Sequence, residues 1–444
     1  MRRGLFDFLF VASPKVLGGA ATLALNLVLI RYFGPEQFGI YSLCVAAILL
    51  ADAVLGSALD FGVLRLAPSS LDSDGSRSLE VQRVALALKF AAAVTAWLLL
   101  ILFAGTISSA LFHARGYDLL LYLTCATVVT LLLFRSAQVQ LQVAGRFRAY
   151  ALLDMAHVAV KFGGIAAIIP LGWISVGRTL VMFALAPAAV FLGWAASYGR
   201  PLLRTLAVKF STAKELVSYV KWFLLTFALA NVLVRMDVFL LTRWSGLRQV
   251  GVYSAGQVFA FIPQLLGVYL AVILSPRIMP YRESGQLAGF FRRYHRAAAL
   301  AGIVIYIAAR LGVQLLGPTL LPHAFVRSAH VIVILLPGAV AGFLLFPVAI
   351  PLLMFLRPKF LFTMDLIALP FLIVAYRQAI PAGGAEGAAW VTCTYACVKG
   401  VIAFGMAWYC ASQSGERPTT QPVAVDGGSG FPQPVEILEG GPVL

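Results

Sequence analysis

A chain of 444 residues that is 61% hydrophobic and only 12% charged, with a mean hydropathy of +0.91, is excluded from the soluble globular proteins, whose charged fraction averages about 25%. Such a composition needs a bilayer, and the length then counts apolar spans of about 20 residues. The formal charge of +16 is carried by cations in short loops between apolar runs, so loop bias and an anionic ligand account for it better than nucleic acid does.

Taken in chain order, apolar runs fall near 9–30, 40–62, 84–105, 117–140, 150–170, 177–197, 216–242, 252–275, 297–316, 329–355, 360–380 and 386–410. The expected fold is therefore an all-α membrane protein of about twelve transmembrane helices. The first run follows Arg2 and Arg3 in the manner of a signal peptide; it is kept as a span because its repeat partner, described below, is internal. Cys44, Cys125, Cys393, Cys397 and Cys410 all lie in apolar segments and read as buried helix residues, with no disulfide framework or metal site.

Alternate loops differ in charge. With the N-terminus inside, the inner segments carry twenty Lys and Arg and the outer ones seven, which places both termini in the cytoplasm. The inner cations include Arg146, Arg148, Arg277, Arg282, Arg292, Arg293 and Arg296; the outer ones are Arg31, Arg115, Arg178, Arg243, Arg248, Arg327 and Arg377.

RYFGPEQFGIYS at 31–42 returns as RWSGLRQVGVYS at 243–254, an offset of 212 residues with six of twelve positions matched. The matched pairs are Arg31/Arg243, Gly34/Gly246, Gln37/Gln249, Gly39/Gly251, Tyr41/Tyr253 and Ser42/Ser254. Ile-Pro-x-Gly at 169–172 returns at 380–383 with an offset of 211. Duplication of a six-helix unit preserves orientation, so the halves are expected to be related by a parallel pseudo-two-fold along the membrane normal. This gives an N-terminal lobe over 1–198, a basic cytoplasmic linker over 199–215, a C-terminal lobe over 216–410, and a Gly- and Pro-rich disordered tail over 411–444.

The repeated element is an Arg ending an apolar helix, a Gly-containing turn, and then G-x-Y-S opening the next helix. Together with RMDVFLLTRWSGLRQVGVYSAG at 235–256 and GGAEGAA at 383–389, it resembles the polysaccharide-transporter (Wzx-like) flippases of the multidrug/oligosaccharidyl-lipid/polysaccharide (MOP) superfamily. That resemblance covers the arrangement of all twelve spans. It implies a V-shaped pair of six-helix, MATE-like lobes around a cavity that opens alternately to either side and reorients a lipid-linked oligosaccharide. Peptidoglycan-precursor flippases of the superfamily have fourteen spans, and the extra pair is missing here.

Seven basic residues lie inside spans: Lys15, Lys89, Arg135, Lys161, Arg235, Arg310 and Lys399. Each costs about 2.5–3.5 kcal/mol at a lipid-facing helix centre. Lys89 and Arg135 are close enough to helix ends to snorkel, whereas Lys161, Arg235 and Lys399 are too deep and are expected to line a cavity; Lys15 stands between the two cases beside Pro14. Helical spacing groups polar residues into stripes: Lys15, Gly19, Thr22 and Asn26; Asp154, His157 and Lys161; Asn231, Arg235 and Thr242; Ser254, Gln257 and Gln264. In the functional reading the cations bind the pyrophosphate of an undecaprenyl-linked sugar and the amides bind the glycan. In the plainer reading these groups hydrogen-bond between helices; for Thr22, Thr242 and Ser254 both readings stand.

Among the acids within spans, Asp52 and Asp237 are the ion-coupling candidates, for H⁺ or Na⁺. Asp52 can carry an ion or neutralise a nearby cation; Asp237 is two residues from Arg235 and so does not share its face. Neither Arg235 nor Lys161 is duplicated: at the 212 offset they meet Leu23 and Ile373. The expectation is a flippase of the bacterial inner membrane, using no cofactor and no nucleic acid, whose partners are a lipid-linked oligosaccharide, membrane lipids and other polysaccharide-assembly proteins. The competing readings are a drug/cation antiporter, a peptidoglycan-precursor flippase and a membrane-embedded glycan polymerase or ligase. No catalytic motif appears, and the last reading calls for a large external loop that is absent from the sequence.

Overall fold

The computed structural model describes residues 2–67, 76–112, 116–199, 202 and 209–413. Apolar helices connected by tight turns make up this part of the chain. Helix α1 (Arg2–Tyr32) is followed by Gly34 in extended conformation and Pro35 at the first helical position, where a missing N–H has no cost. From there α2 runs Pro35–Leu66, with a π-helical turn at Ala53–Ser57. Next come α3 (Ser76–Phe112), α4 (Asp118–Val143), α5 (Phe147–Ile168) and α6 (Val176–Ser197). The second half holds α7 (Phe210–Ser245), α8 (Leu247–Ala260), α9 (Ile262–Glu283), α10 (Leu287–Leu320), α11 (Val326–Leu345), α12 (Ala349–Leu356) and α13 (Pro358–Gln413).

Nine described helices are long and apolar enough to cross a membrane, and α8 with α9, bent by 47°, makes a tenth crossing. The 56 residues of α13 would stretch about 84 Å as one straight helix. Instead Lys399 Nζ lies 2.6 Å from Asp365 Oδ1 across 34 residues, and the backbone breaks at Gly384, where φ is +54°. A left-handed turn of this kind suits glycine, and it folds α13 back on itself as two crossings. With α1, the layout is twelve crossings in two six-helix halves.

Differences from the expected spans lie at helix ends. The ninth run, expected at 297–316, becomes a helix from Leu287 to Leu320, so Arg292, Arg293 and Arg296 sit on a helix and not in a loop. Arginine is a good helix former, and a helix leaving the bilayer need not stop at its edge. The eleventh run is preceded by a break after α11, with α12 as a separate short helix. Of the basic linker expected over 199–215, residues from Phe210 onward are the first turns of α7, while 200, 201 and 203–208 lie outside the described residues. The tail expected from 411 lies outside them beyond Gln413.

The duplication is visible as a self-matching contact. A methyl group added at Gly39 would overlap the carbonyl oxygen of Leu247, and one added at Gly251 would overlap the carbonyl oxygen of Pro35. Both the glycines and the residues they meet are partners at the 212 offset. The repeated motif therefore brings α2 and α8 together backbone to backbone, as small residues allow in membranes. The two glycines with positive φ at the hairpin turns, Gly172 and Gly384, also stand 212 apart; this, and not the 211 of the Ile-Pro-x-Gly echo, is the structural register. Gln249 Oε1, in the second copy of the motif, accepts a hydrogen bond from Ala385 N at 3.3 Å and so holds the α13 turn.

At the opposite end of α2 the halves meet again. Val220 and Leu216 of α7 pack against Gly62, and the Phe61 and Phe223 rings are 4.6 Å apart. Beside them Arg77 of α3 pairs with Glu215 of α7 at 3.4 Å, Lys209 reaches Glu80 at 2.6 Å, and Thr212 donates to Glu80. The two halves thus touch at the motif end through glycines and at the linker end through apolar packing and charged pairs.

Candidate functional site

Between these ends the polar residues of the spans form separate networks. In the second half Asp237 is 1% exposed. One carboxylate oxygen accepts from Tyr253 Oη at 2.5 Å and Gln257 Nε2 at 3.1 Å, and the other from Val238 N at 2.7 Å. The hydroxyl of Thr392 lies 3.0 Å from Tyr253 Oη and 2.8 Å from Tyr376 Oη. This chain ties α7, α8 and both limbs of α13 together. Its counterparts at the 212 offset are Leu25, Tyr41, Leu180 and Gly164, so only the tyrosine is common to both halves. A second network joins Lys399 to Asp365, whose Oδ1 also accepts from Tyr395 Oη at 2.9 Å.

In the first half Arg135 lies 3.7 Å from Asp52 Oδ2 and donates to Gln138 Oε1 at 3.4 Å, while Gln138 donates to Asp154 at 3.1 Å. Asp52 directly precedes the π-helical turn, and its Oδ1 is buried with no hydrogen-bond partner. Lys89, expected to snorkel, is buried instead: it pairs with Asp60 and donates to Ser136 at 3.1 Å. Asp60 is within reach because α2 continues through the π turn to Leu66. Arg135, also expected to snorkel, turns inward to Asp52 and Gln138.

Two deep cations have a different environment. Lys161 Nζ lies over the rings of Phe162 and Phe183 at 4.7 and 5.0 Å, and Phe183 is edge-on to Tyr41 of the repeat motif at 6.1 Å. Arg235 is partly buried with an Nε that has no hydrogen-bond partner, two residues from an Asp237 whose oxygens accept from Tyr253, Gln257 and Val238. Among the described residues neither cation has a carboxylate at ion-pair distance.

The remaining residues singled out from sequence divide by local contact. Gln257 joins Asp237, as above. Asn26 and Asn231 donate to the carbonyls of Thr22 and Phe227 on their own helices, each at 2.9 Å. Gln264 lays its methylenes against Gly342. The Lys15 side chain lies outside the described residues. In the Asp154–His157–Lys161 stripe the direct contacts diverge: Asp154 accepts from Gln138, the His157 ring lies tilted against Phe134 at 4.6 Å, and Lys161 reaches Phe183 of α6. Thr22 and Thr242 donate to backbone carbonyls of their own helices. Among the described residues no cluster of three His, Cys, Asp or Glu side chains could hold a metal.

Sequence reasoning missed Tyr253, Thr392 and Tyr376 as site residues. The repeat flagged Tyr253, since Tyr41 matches it. Thr392 carried no signal, because it meets Tyr253 across 139 residues.

Long apolar helices in two halves packed about a shared glycine contact, with ionisable groups between helices, define a multi-pass membrane protein with the MOP transporter fold. Solved structures of that fold match over nearly the whole chain. The lipid II flippase MurJ in its inward closed conformation aligns with a TM-score of 0.71 at 12% identity, over 91% of this chain and 90% of that one. An inward-facing multidrug resistance MATE family transporter aligns at 0.69 and 15%, over 92% and 98%. A MOP superfamily transporter from Pyrococcus furiosus, described by a reversed polarity of its binding pocket, aligns at 0.64 and 13%, over 93% and 96%. No family model and no curated protein matches the sequence.

Proposed function

We propose that the protein is a flippase of the bacterial inner membrane that carries an undecaprenyl-pyrophosphate-linked oligosaccharide outward for surface polysaccharide assembly, by alternating access of residues 1–198 against 216–410. The observation that carries this reading is the pair of deep cations, Lys161 over the Phe162 and Phe183 rings and Arg235 with an unpartnered Nε, neither at ion-pair distance from a carboxylate among the described residues. A cation kept at such depth without a directly bonded carboxylate is costly, and an anionic substrate repays that cost when it binds. A drug/cation antiporter needs the reverse, open carboxylates; here Asp60, Asp237 and Asp365 are occupied by donors from the protein. Asp52, with one buried oxygen unpartnered, is the carboxylate best suited to take the coupling H⁺ or Na⁺. The loop charges favour a cytoplasmic location for both termini, so reporters fused after residues 200 and 415 should each give an inside signal; an outside signal at either breaks the assignment.

Cells depleted of the protein should accumulate lipid-linked glycan on the cytoplasmic leaflet, and normal outward display would refute the reading. A peptidoglycan-precursor flippase is the second reading, favoured by the likeness to the lipid II flippase. The identity of the accumulated lipid separates the two.

A further inference from the structure

The linker-side end of the second half carries cations of another kind. Arg277, Arg282, Arg292, Arg293 and Arg296 are all exposed, and Glu283 is the only acid in the sequence between 277 and 357. Among the described residues none of the five has a carboxylate at ion-pair distance. At the same end, by contrast, Arg77 of the first half and Lys209 of the linker are each paired with an acid. Topology asks for cations near this end but does not dictate which helix face they take. Here the face is specific. Spacings of four, four, three, four and four place Arg292, Arg296, Leu300, Ile303, Ile307 and Leu311 along one stripe of α10, and the four apolar residues are between 50% and 69% exposed.

Beside that stripe runs the second limb of α13. The Arg292 guanidinium lies 5.5 Å over the Trp408 ring, and Phe291 packs on Phe404 and Trp408 at 5.5 and 5.8 Å. One turn deeper Val401 is 74% exposed. Buried His295 bonds the Phe291 carbonyl through Nδ1 at 2.9 Å, leaving the polar head of the groove to the arginines. The groove where α10 packs against α13 thus has the exposed Arg292, Arg293 and Arg296 at one end, an indole beside them, and exposed apolar side chains on the two helices running toward the bilayer. The main contacts of α10 are with α9, α11 and α13, all of the second half, and its apolar stripe is exposed, so this groove is on the periphery of that half.

We propose that this groove is a binding site for an anionic phospholipid, whose phosphodiester headgroup lies on Arg292, Arg293 and Arg296 and whose acyl chains lie along Leu300, Ile303 and Val401. Arginine forks match phosphate oxygens, and basic pockets at a helix end hold anionic lipid through this combination of charge and apolar contact. The site is separate from the deep cations that the proposed substrate would reach.

The test uses the purified full-length chain in detergent micelles, titrated with phosphatidylglycerol bearing brominated acyl chains and with the phosphatidylcholine equivalent. Saturable quenching of tryptophan fluorescence by the phosphatidylglycerol is expected, and Trp408→Phe should remove that component. At about 1 kcal/mol per arginine, Arg292→Gln/Arg293→Gln/Arg296→Gln should weaken binding on the order of a hundred-fold, while the triple Lys variant should keep the preference for the anionic lipid. Unchanged preference in the Gln variant overturns the proposal. So does an equal loss in Arg146→Gln/Arg148→Gln, exposed cations at the same end of the other half, which would mean diffuse charge attraction. Displacement of phosphatidylglycerol by equimolar undecaprenyl pyrophosphate overturns it as well, assigning the groove to the transported substrate. If the Gln variant does not purify folded, persistence of the quenched component in Trp408→Phe is the refuting result.

Discussion

Single ionisable residues in this protein fall into two energetic kinds, and they should respond differently to substitution. Lys89 is 2% exposed with Asp60 as its partner. Removing one member of such a buried pair strands the other, at about 3–5 kcal/mol. Lys89→Met should therefore lower the unfolding temperature of the purified protein sharply, and Lys89→Met/Asp60→Leu should recover most of it. Arg235 and Lys161 are the other kind. Neither forms a direct ion pair among the described residues, so Arg235→Gln and Lys161→Gln should insert and melt like the parent while abolishing glycan export. Arg235→Lys keeps the charge but loses the planar fork, and an intermediate export rate is expected. Parental export by both Gln variants would reassign these cations to structure and move the search for the pocket to Lys15 and Lys399. The distinction between the two kinds was only half legible in the sequence: depth marked all of these residues as costly, but which of them find a carboxylate depends on neighbours 29 or more residues away, such as Asp60 for Lys89.

At the scale of elements, the repeated motif acts as a contact between helices. Gly39 and Gly251 allow α2 and α8 to approach until any Cβ would collide with backbone. Gly251→Leu should force these helices apart and raise the reactivity of a cysteine placed at the buried Ile40 toward a membrane-impermeant thiol reagent. Gly193→Leu, at a glycine with open space around it, is the control that should change neither reactivity nor export. The α13 hairpin makes a smaller prediction. Gly384→Ala places a Cβ on a left-handed backbone and against Gln249 Oε1, a cost of about 1–2 kcal/mol, readable as a modest drop in melting temperature.

The whole molecule moves, in the proposed cycle, by separation of its halves at one end and then at the other. The charged clasp at the linker end, Arg77 with Glu215 and Lys209 with Glu80, must then part in every turnover. Arg77→Cys/Glu215→Cys should form a disulfide under mild oxidation, stop export, and regain it on reduction; unimpaired export by the cross-linked protein would rule out separation at this end. Sequence periodicity and composition were enough to determine that the chain spans a membrane about twelve times. The offset of 212 was enough to make it a tandem duplication, because hydrophobic length and internal similarity are properties of the chain read in order. Tertiary structure alone decided that the duplicated segments pack on each other, that α13 is a hairpin closed by Gln249, and that Asp237 is hydrogen-bonded by Tyr253 and Gln257 and not by Arg235. Those outcomes depend on contacts between groups far apart in the chain, whose free energy comes from burial and hydrogen bonding in three dimensions and leaves no periodic trace in the sequence.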